Sequence, residues 1–148
     1  MPLWLIFHPA GIFEDSASKQ ALAEDITKMY TELGLPAFYV VAKFIKLPAE
    51  DIWVGGKQKT DKPFIRVVIK HIAIHVPDDD ALYRRTTSRI DRILKPHIAD
   101  KGYDWEFHVE ETERKLWKIN GMIPPPHKSE EERVWVKENR AVPYEGAF

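Results

Sequence analysis

Pro2 is the residue in this sequence whose chemistry depends most on its position. Initiator methionine is usually removed when a small residue follows, and Pro2 would then carry a free secondary amine able to give or take a proton. An ordinary α-amino group titrates at roughly 7.7–8.0, and burial near cations disfavours its protonated form, so such an amine could be neutral at physiological pH. As a base it could take an acidic proton beside a carbonyl and return it elsewhere, which is keto–enol tautomerisation. As a cation it could protonate a carbon while water adds, which is hydration or hydrolytic dehalogenation. The simpler role for Pro2 is to open a strand, because proline has no N–H for a sheet ladder and is confined to first positions, edges and bulges.

Other groups have weaker chemical claims. HIAIH (71–75) spaces two histidines four apart, a metal-binding spacing on a helix. Its β-branched content makes it a strand instead, where four residues span about 13 Å, too far for one ion, so no metal is expected. GKQKTDK (56–62) carries glycine and lysines without the phosphate-loop pattern. Arg66 and Lys70 share a strand face by alternation and would be useful cations if that face meets a neighbouring subunit's site.

These residues need a scaffold, and the composition limits what it can be. A chain of 148 residues fits one domain with a real core. Its 44% hydrophobic and 30% charged residues, with formal net charge −1, favour neither disorder, nor a membrane span, nor electrostatic affinity for nucleic acid. Without cysteine there is no disulfide framework or thiol nucleophile. The apolar run at the start stops at Phe7, short of a signal-peptide core, so a cytoplasmic location is expected.

Segment 3–7 predicts a buried strand bounded by Pro2 and the breakers in HPAG. A helix follows from Asp15 or Ser16, with Leu22, Ile26, Met29, Tyr30 and Leu33 on one stripe and Gly34-Leu35-Pro36 ending it. AFYVVAKFIKL (37–47) predicts a second strand, parallel to the first. After the hairpin-like DIWVGGKQKTDK the grammar repeats: strand 64–74 behind Pro63, a helix from the aspartates at 78–80 with Pro96 kinking or ending it, and an alternating strand at 103–109. The phrases PLWLIFH and PFIRVVIKH stand 61 residues apart, Pro2 to Pro63, which suggests duplication.

The expected fold is therefore α/β (α+β in some schemes): tandem β-α-β units in one four-stranded sheet with two helices on one face. One domain spans 1–148, comprising a first unit (1–48), a connector (49–62), a second unit (63–110) and a C-terminal extension (111–148). The second sheet face looks apolar, which predicts oligomerisation through sheet faces and edges, with the extension wrapping a neighbour.

A terminal proline on a buried strand, followed by two β-α-β units, resembles the tautomerase superfamily, whose fold is like that of macrophage migration inhibitory factor. MPLW, ALAEDITKMY, LPAEDIWVGG and WEFHVEETERKLWKINGMIPPP are similar to its cis-3-chloroacrylic acid dehalogenase-like branch, and there to a fungal group described as oxalocrotonate tautomerases. The resemblance implies a homotrimer that needs no cofactor. It also implies a small carboxylate substrate held by cationic side chains, with Pro2 as catalytic acid or base.

Aligned on that branch, a histidine place near the end of the first helix is held by Tyr30. Two arginine places fall on His71 and on either Ile74 or His75, a tyrosine place on Phe107 and a glutamate place on Lys118. Pro2 alone is unchanged. Losing the glutamate argues against water activation, so a keto–enol tautomerase, an isomerase, fits better than a hydratase or dehalogenase. The implied catalytic residues are Pro2, Tyr30 and His71, with Lys118, Phe107, His75 and Arg66 on the substrate. Simpler roles exist for each: Tyr30 as a core aromatic, His71 satisfied by backbone, Lys118 in solvent. The rival is a protein that keeps the fold as a binding or structural module, with Met1 retained and the Pro2 nitrogen an amide.

Overall fold

The computed structural model describes residues 1–148. Strand β1 (Leu3–Pro9) buries every second side chain, with Trp4, Ile6 and His8 facing inward. Asp15 caps helix α1 (Ser16–Thr31), its carboxylate accepting the Ser18 N–H at 2.7 Å, and Leu22, Ile26, Met29 and Tyr30 form its buried stripe. Strand β2 (Val41–Leu47) pairs parallel with β1. Residues 37–39, expected as strand, form a single 3₁₀ turn behind Pro36. The cause is tertiary: that turn buries Tyr39 completely, its ring 4.9 Å from Trp117 and 6.2 Å from Trp135, and this packing overrides local β propensity.

A two-stranded hairpin, β3 (Trp53–Val54) and β4 (Lys57–Gln58), turns at Gly55-Gly56. Their φ values of 58° and 76° are what a two-residue hairpin turn of the primed type demands. Strand β5 (Phe64–His71) is shorter than expected, ending at His71 rather than residue 74. Helix α2 (Asp80–Leu94) is capped by Asp79, and Pro96 lies just past its end. Strand β6 (Asp104–Glu111) completes a sheet of order β2-β1-β5-β6.

Each unit is a parallel pair, and the two units join antiparallel through β1 and β5 at the centre. The duplication is visible in the backbone: the Pro2 carbonyl accepts from Val41 N–H at 2.9 Å, and the Pro63 carbonyl accepts from Asp104 N–H at 2.9 Å. One sheet face carries Trp4, Ile6, Ile65, Val67 and Ile69 under the helices, all fully buried. The other presents half-buried Leu3, Leu5, Phe7 and Val68 at its middle. It is less apolar than expected, because Arg66 pairs with Glu106, and Lys70 with Glu110, along one side.

The extension packs on its own chain. Asn120-Gly121 turns the backbone at φ 50° and 80°, and helix α3 (Glu130–Glu138) buries Trp135 to 1% exposure. The Asn139 side-chain carbonyl accepts from Phe38 N–H at 2.8 Å, and Trp135 Nε1 donates to the Val142 carbonyl at 2.7 Å. Its large aromatics thus brace the 37–39 turn of the same chain. No helix is long and apolar enough to cross a membrane.

Candidate active site

The antiparallel centre of the sheet decides what meets Pro2. Leu3 pairs with Lys70, so one step further the register sets Pro2, at the start of β1, against His71, at the end of β5. Both point to the helix side and are buried. The last turn of α1 adds Tyr30, whose ring stands edge-on to His71 with centroids 5.6 Å apart.

Hydrogen-bond chemistry orders this cluster. Indole N–H only donates, so Trp4 Nε1 gives its hydrogen to the Tyr30 oxygen at 3.0 Å. The Tyr30 O–H is then free to donate to His71 Nε2, 2.7 Å away, which requires a neutral imidazole with its proton on Nδ1. Burial favours that state, lowering His71 to about 4 against a weak upward pull from Glu111. Burial also drives the Tyr30 phenol well above its ordinary range, so it remains a donor at neutral pH.

These three residues line one cavity of about 470 Å³. Its remaining wall is mixed: Met29, Leu33, Leu35, Ile72, Ile74 and Val76 are apolar, while Arg85, Arg89 and Arg92 enter from α2. Glu32 is the carboxylate on that wall, and it is engaged: Arg89 Nη2 lies 2.5 Å from its Oε2 and also donates to the Met29 carbonyl at 3.1 Å. Arg114 stands behind Ala73, donating to its carbonyl at 2.7 Å and to that of Pro125, with its guanidinium over the Trp117 ring. At this corner burial, reinforced by Arg114, holds the Met1 amine down at about 4, so the environment opposes a positive amine.

The structure brings Pro2, Tyr30 and His71 together and leaves the other sequence candidates outside this cavity. His75 is exposed, its Nδ1 3.1 Å from Glu111 Oε2, and Ile74 takes the wall position instead. Lys118 is exposed beside buried Trp117. Arg66 lies on the open sheet face against Glu106 and His108. Phe107 is on the helix side of β6, stacked on Trp105 at 6.0 Å. Sequence reasoning missed the α2 arginines and Glu32. The available signal was spacing, since Arg85, Arg89 and Arg92 recur at i, i+4 and i+7 on one helix face.

Comparison with known proteins follows the same outline. A family model described as "Putative oxalocrotonate tautomerase enzyme" matches residues 1–140. The chain is 44% identical to a probable enzyme from the thermophilic fungus Aspergillus fumigatus, with TM-score 0.88 over 97% of this chain and 98% of that one. It is 38% identical to native RhCC from Rhodococcus jostii RHA1, with TM-score 0.90 over 96% and 99%. At 17% identity, a fused 4-OT described as a symmetric trimer shares the fold, with TM-score 0.61 over 80% and 91%. No curated protein matches the sequence.

Proposed function

This chain belongs to the family described as putative oxalocrotonate tautomerase enzymes, and on that premise we propose that it is an isomerase whose Pro2 amine interconverts the keto and enol forms of a small carboxylic acid. The observation that carries this proposal is the convergence of Pro2, Tyr30 and His71 on one cavity. Proton transfer of this kind calls on no cofactor. With Met1 removed, Pro2 would present its amine next to the corner where burial and Arg114 oppose protonation of the Met1 amine. It would take a proton from the carbon beside the keto group, whose electrons move onto the carbonyl oxygen. Tyr30, already receiving from Trp4, would turn its O–H from His71 to steady that oxygen. The proton held by Pro2 would then return to the oxygen, completing the enol and freeing the amine. General acid–base help of this sort is worth about 10²–10⁴-fold, leaving the rest to positioning and charge stabilisation.

Water addition fits less well. In the branch that the sequence resembles a glutamate activates water; its place falls on Lys118 here, and the carboxylate on the cavity wall, Glu32, is committed to Arg89. The branch that performs cis-3-chloroacrylate dehalogenation therefore supplies a scaffold for this chain rather than its reaction. A homotrimer in the cytoplasm is the proposed setting. The half-buried apolar middle of the open sheet face supports it, as does the trimeric state given for the fused 4-OT neighbour.

Two measurements test the proposal. Intact mass of protein from the native host should lack one methionine, because a retained Met1 makes the Pro2 nitrogen an amide without basicity. Ketonisation of phenylenolpyruvate or 2-hydroxymuconate should fall about 10²-fold or more in Pro2→Ala. Equal rates for the two proteins would overturn the role of Pro2.

A further inference from the structure

We infer that Arg85, on helix α2, recognises the carboxylate of the ligand, and that the cavity takes a monocarboxylate with an apolar tail. This rests on the proposal that the cavity at Pro2 is the substrate site.

The three arginines of α2 are not equivalent. Arg89 is neutralised by Glu32 and tied to the Met29 carbonyl, so it holds the two helices together. Arg92 lies toward the other end of α2, where His97 Nε2 is 2.7 Å from Asp25 Oδ2. It borders a neighbouring groove that also contains Asp25 and Glu32, two carboxylates. Arg85 is one turn, about 6 Å, from Arg89 in the opposite direction, on the side where residues 72–76 lead out of His71. It lines the cavity, forms no ion pair, and has no carboxylate on the wall left to meet, since Glu32 is spent on Arg89. A guanidinium placed this way matches a carboxylate fork to fork.

The tail follows from the remaining wall. Leu33, Leu35, Ile72, Ile74 and Val76 offer only hydrocarbon, and about 470 Å³ is far more room than a two- or three-carbon acid fills. A second carboxylate among these side chains would lose its hydration without a partner, because Arg92, the other unpaired cation on the wall, borders the groove that holds Asp25 and Glu32. The ligand class is therefore an aryl- or alkyl-substituted 2-oxo acid or its enol, with the charged end on Arg85 and the reacting carbon at Pro2.

Calorimetric titration with 3-phenylpropionate, which cannot tautomerise, reads binding apart from turnover. Arg85 is exposed, so its variants should fold, and circular dichroism checks this. Arg85→Gln should weaken binding about 10- to 100-fold and raise KM for phenylenolpyruvate similarly, with a smaller change in kcat. Arg85→Lys should restore part of the loss, and Arg84→Gln, a neighbouring charge outside the cavity, should change neither. Hexanoate should bind more tightly than adipate. Unchanged binding in Arg85→Gln, no binding of 3-phenylpropionate by the wild type, or tighter binding of adipate would overturn this inference. Arg85-dependent binding with no turnover would sink the isomerase proposal and leave the anion site standing.

Discussion

The Tyr30 hydroxyl and His71 Nε2 lie 2.7 Å apart although 41 residues separate them in the chain. That contact joins the last turn of α1 to the end of β5, and Trp4 extends it to β1 through the same hydroxyl. Replacing Tyr30 with Phe keeps the ring but strands two buried polar groups, the Trp4 N–H and the His71 nitrogen. The expected cost is about 1–3 kcal/mol, read as a lower urea midpoint at pH 7. An unchanged midpoint would mean that the two groups find other partners.

Stability should depend on pH through His71. Its folded-state pKa of about 4 lies below the ordinary 6.5, so between those values the unfolded chain binds more protons than the folded one. Stability from this group is therefore complete above pH 6.5, erodes as pH falls, and is gone below about 4, a loss on the order of 3 kcal/mol. His71→Gln retains an acceptor for Tyr30 without titrating. Urea unfolding from pH 7 to pH 4 should show a shallower decline for His71→Gln than for wild type, and parallel curves would refute the assignment.

The open sheet face gives a third test. Leu5 sits on the central strand opposite Val68 and is half-buried in the isolated chain. A lysine there points away from the single-chain core, so the fold should survive while assembly through this face does not. Sedimentation velocity should convert the proposed homotrimer to monomer in Leu5→Lys, and a persistent trimer would place the interface elsewhere.

Removing the extension's anchor should reach the first β-α-β unit. Trp135 is 1% exposed and packs its ring on Phe38, Tyr39 and Tyr144. Trp135→Ala should cost about 3–5 kcal/mol, by loss of buried area and the cavity left behind. Hydrogen exchange should localise the loosening to residues 37–39 as well as α3. Loosening confined to α3 would show that the brace does not matter.

Local patterns carried much of this architecture. Alternation in FIRVVIK, the Leu22–Ile26–Met29 stripe, the aspartates before α2 and the Gly-Gly hairpin each encode their element within a few residues. The error at 37–39 arose because Trp117 and Trp135, far along the chain, decide what Phe38 and Tyr39 do. The site divided the same way. Pro2 could be singled out from the sequence because the chemistry proposed for it would follow from its position. Arg85 was not, because a helix arginine looks solvated until the partner of its neighbour, Arg89, is known. Lys118 and His75 are residue types able to meet a carboxylate, yet one is exposed beside buried Trp117 and the other is turned toward Glu111.

The antiparallel seam between β1 and β5 gives the sheet a near-twofold, and with it a second corner resembling the first. There Pro63 takes the place of Pro2 and stands opposite Ala10, beside a shallow depression. Its nitrogen lies within the chain and is acylated by Lys62, so Pro63 can never supply a basic amine there. Stoichiometry follows from symmetry: an inactivator that requires an N-terminal proline amine finds one such group per polypeptide, although the scaffold carries the site's outline twice.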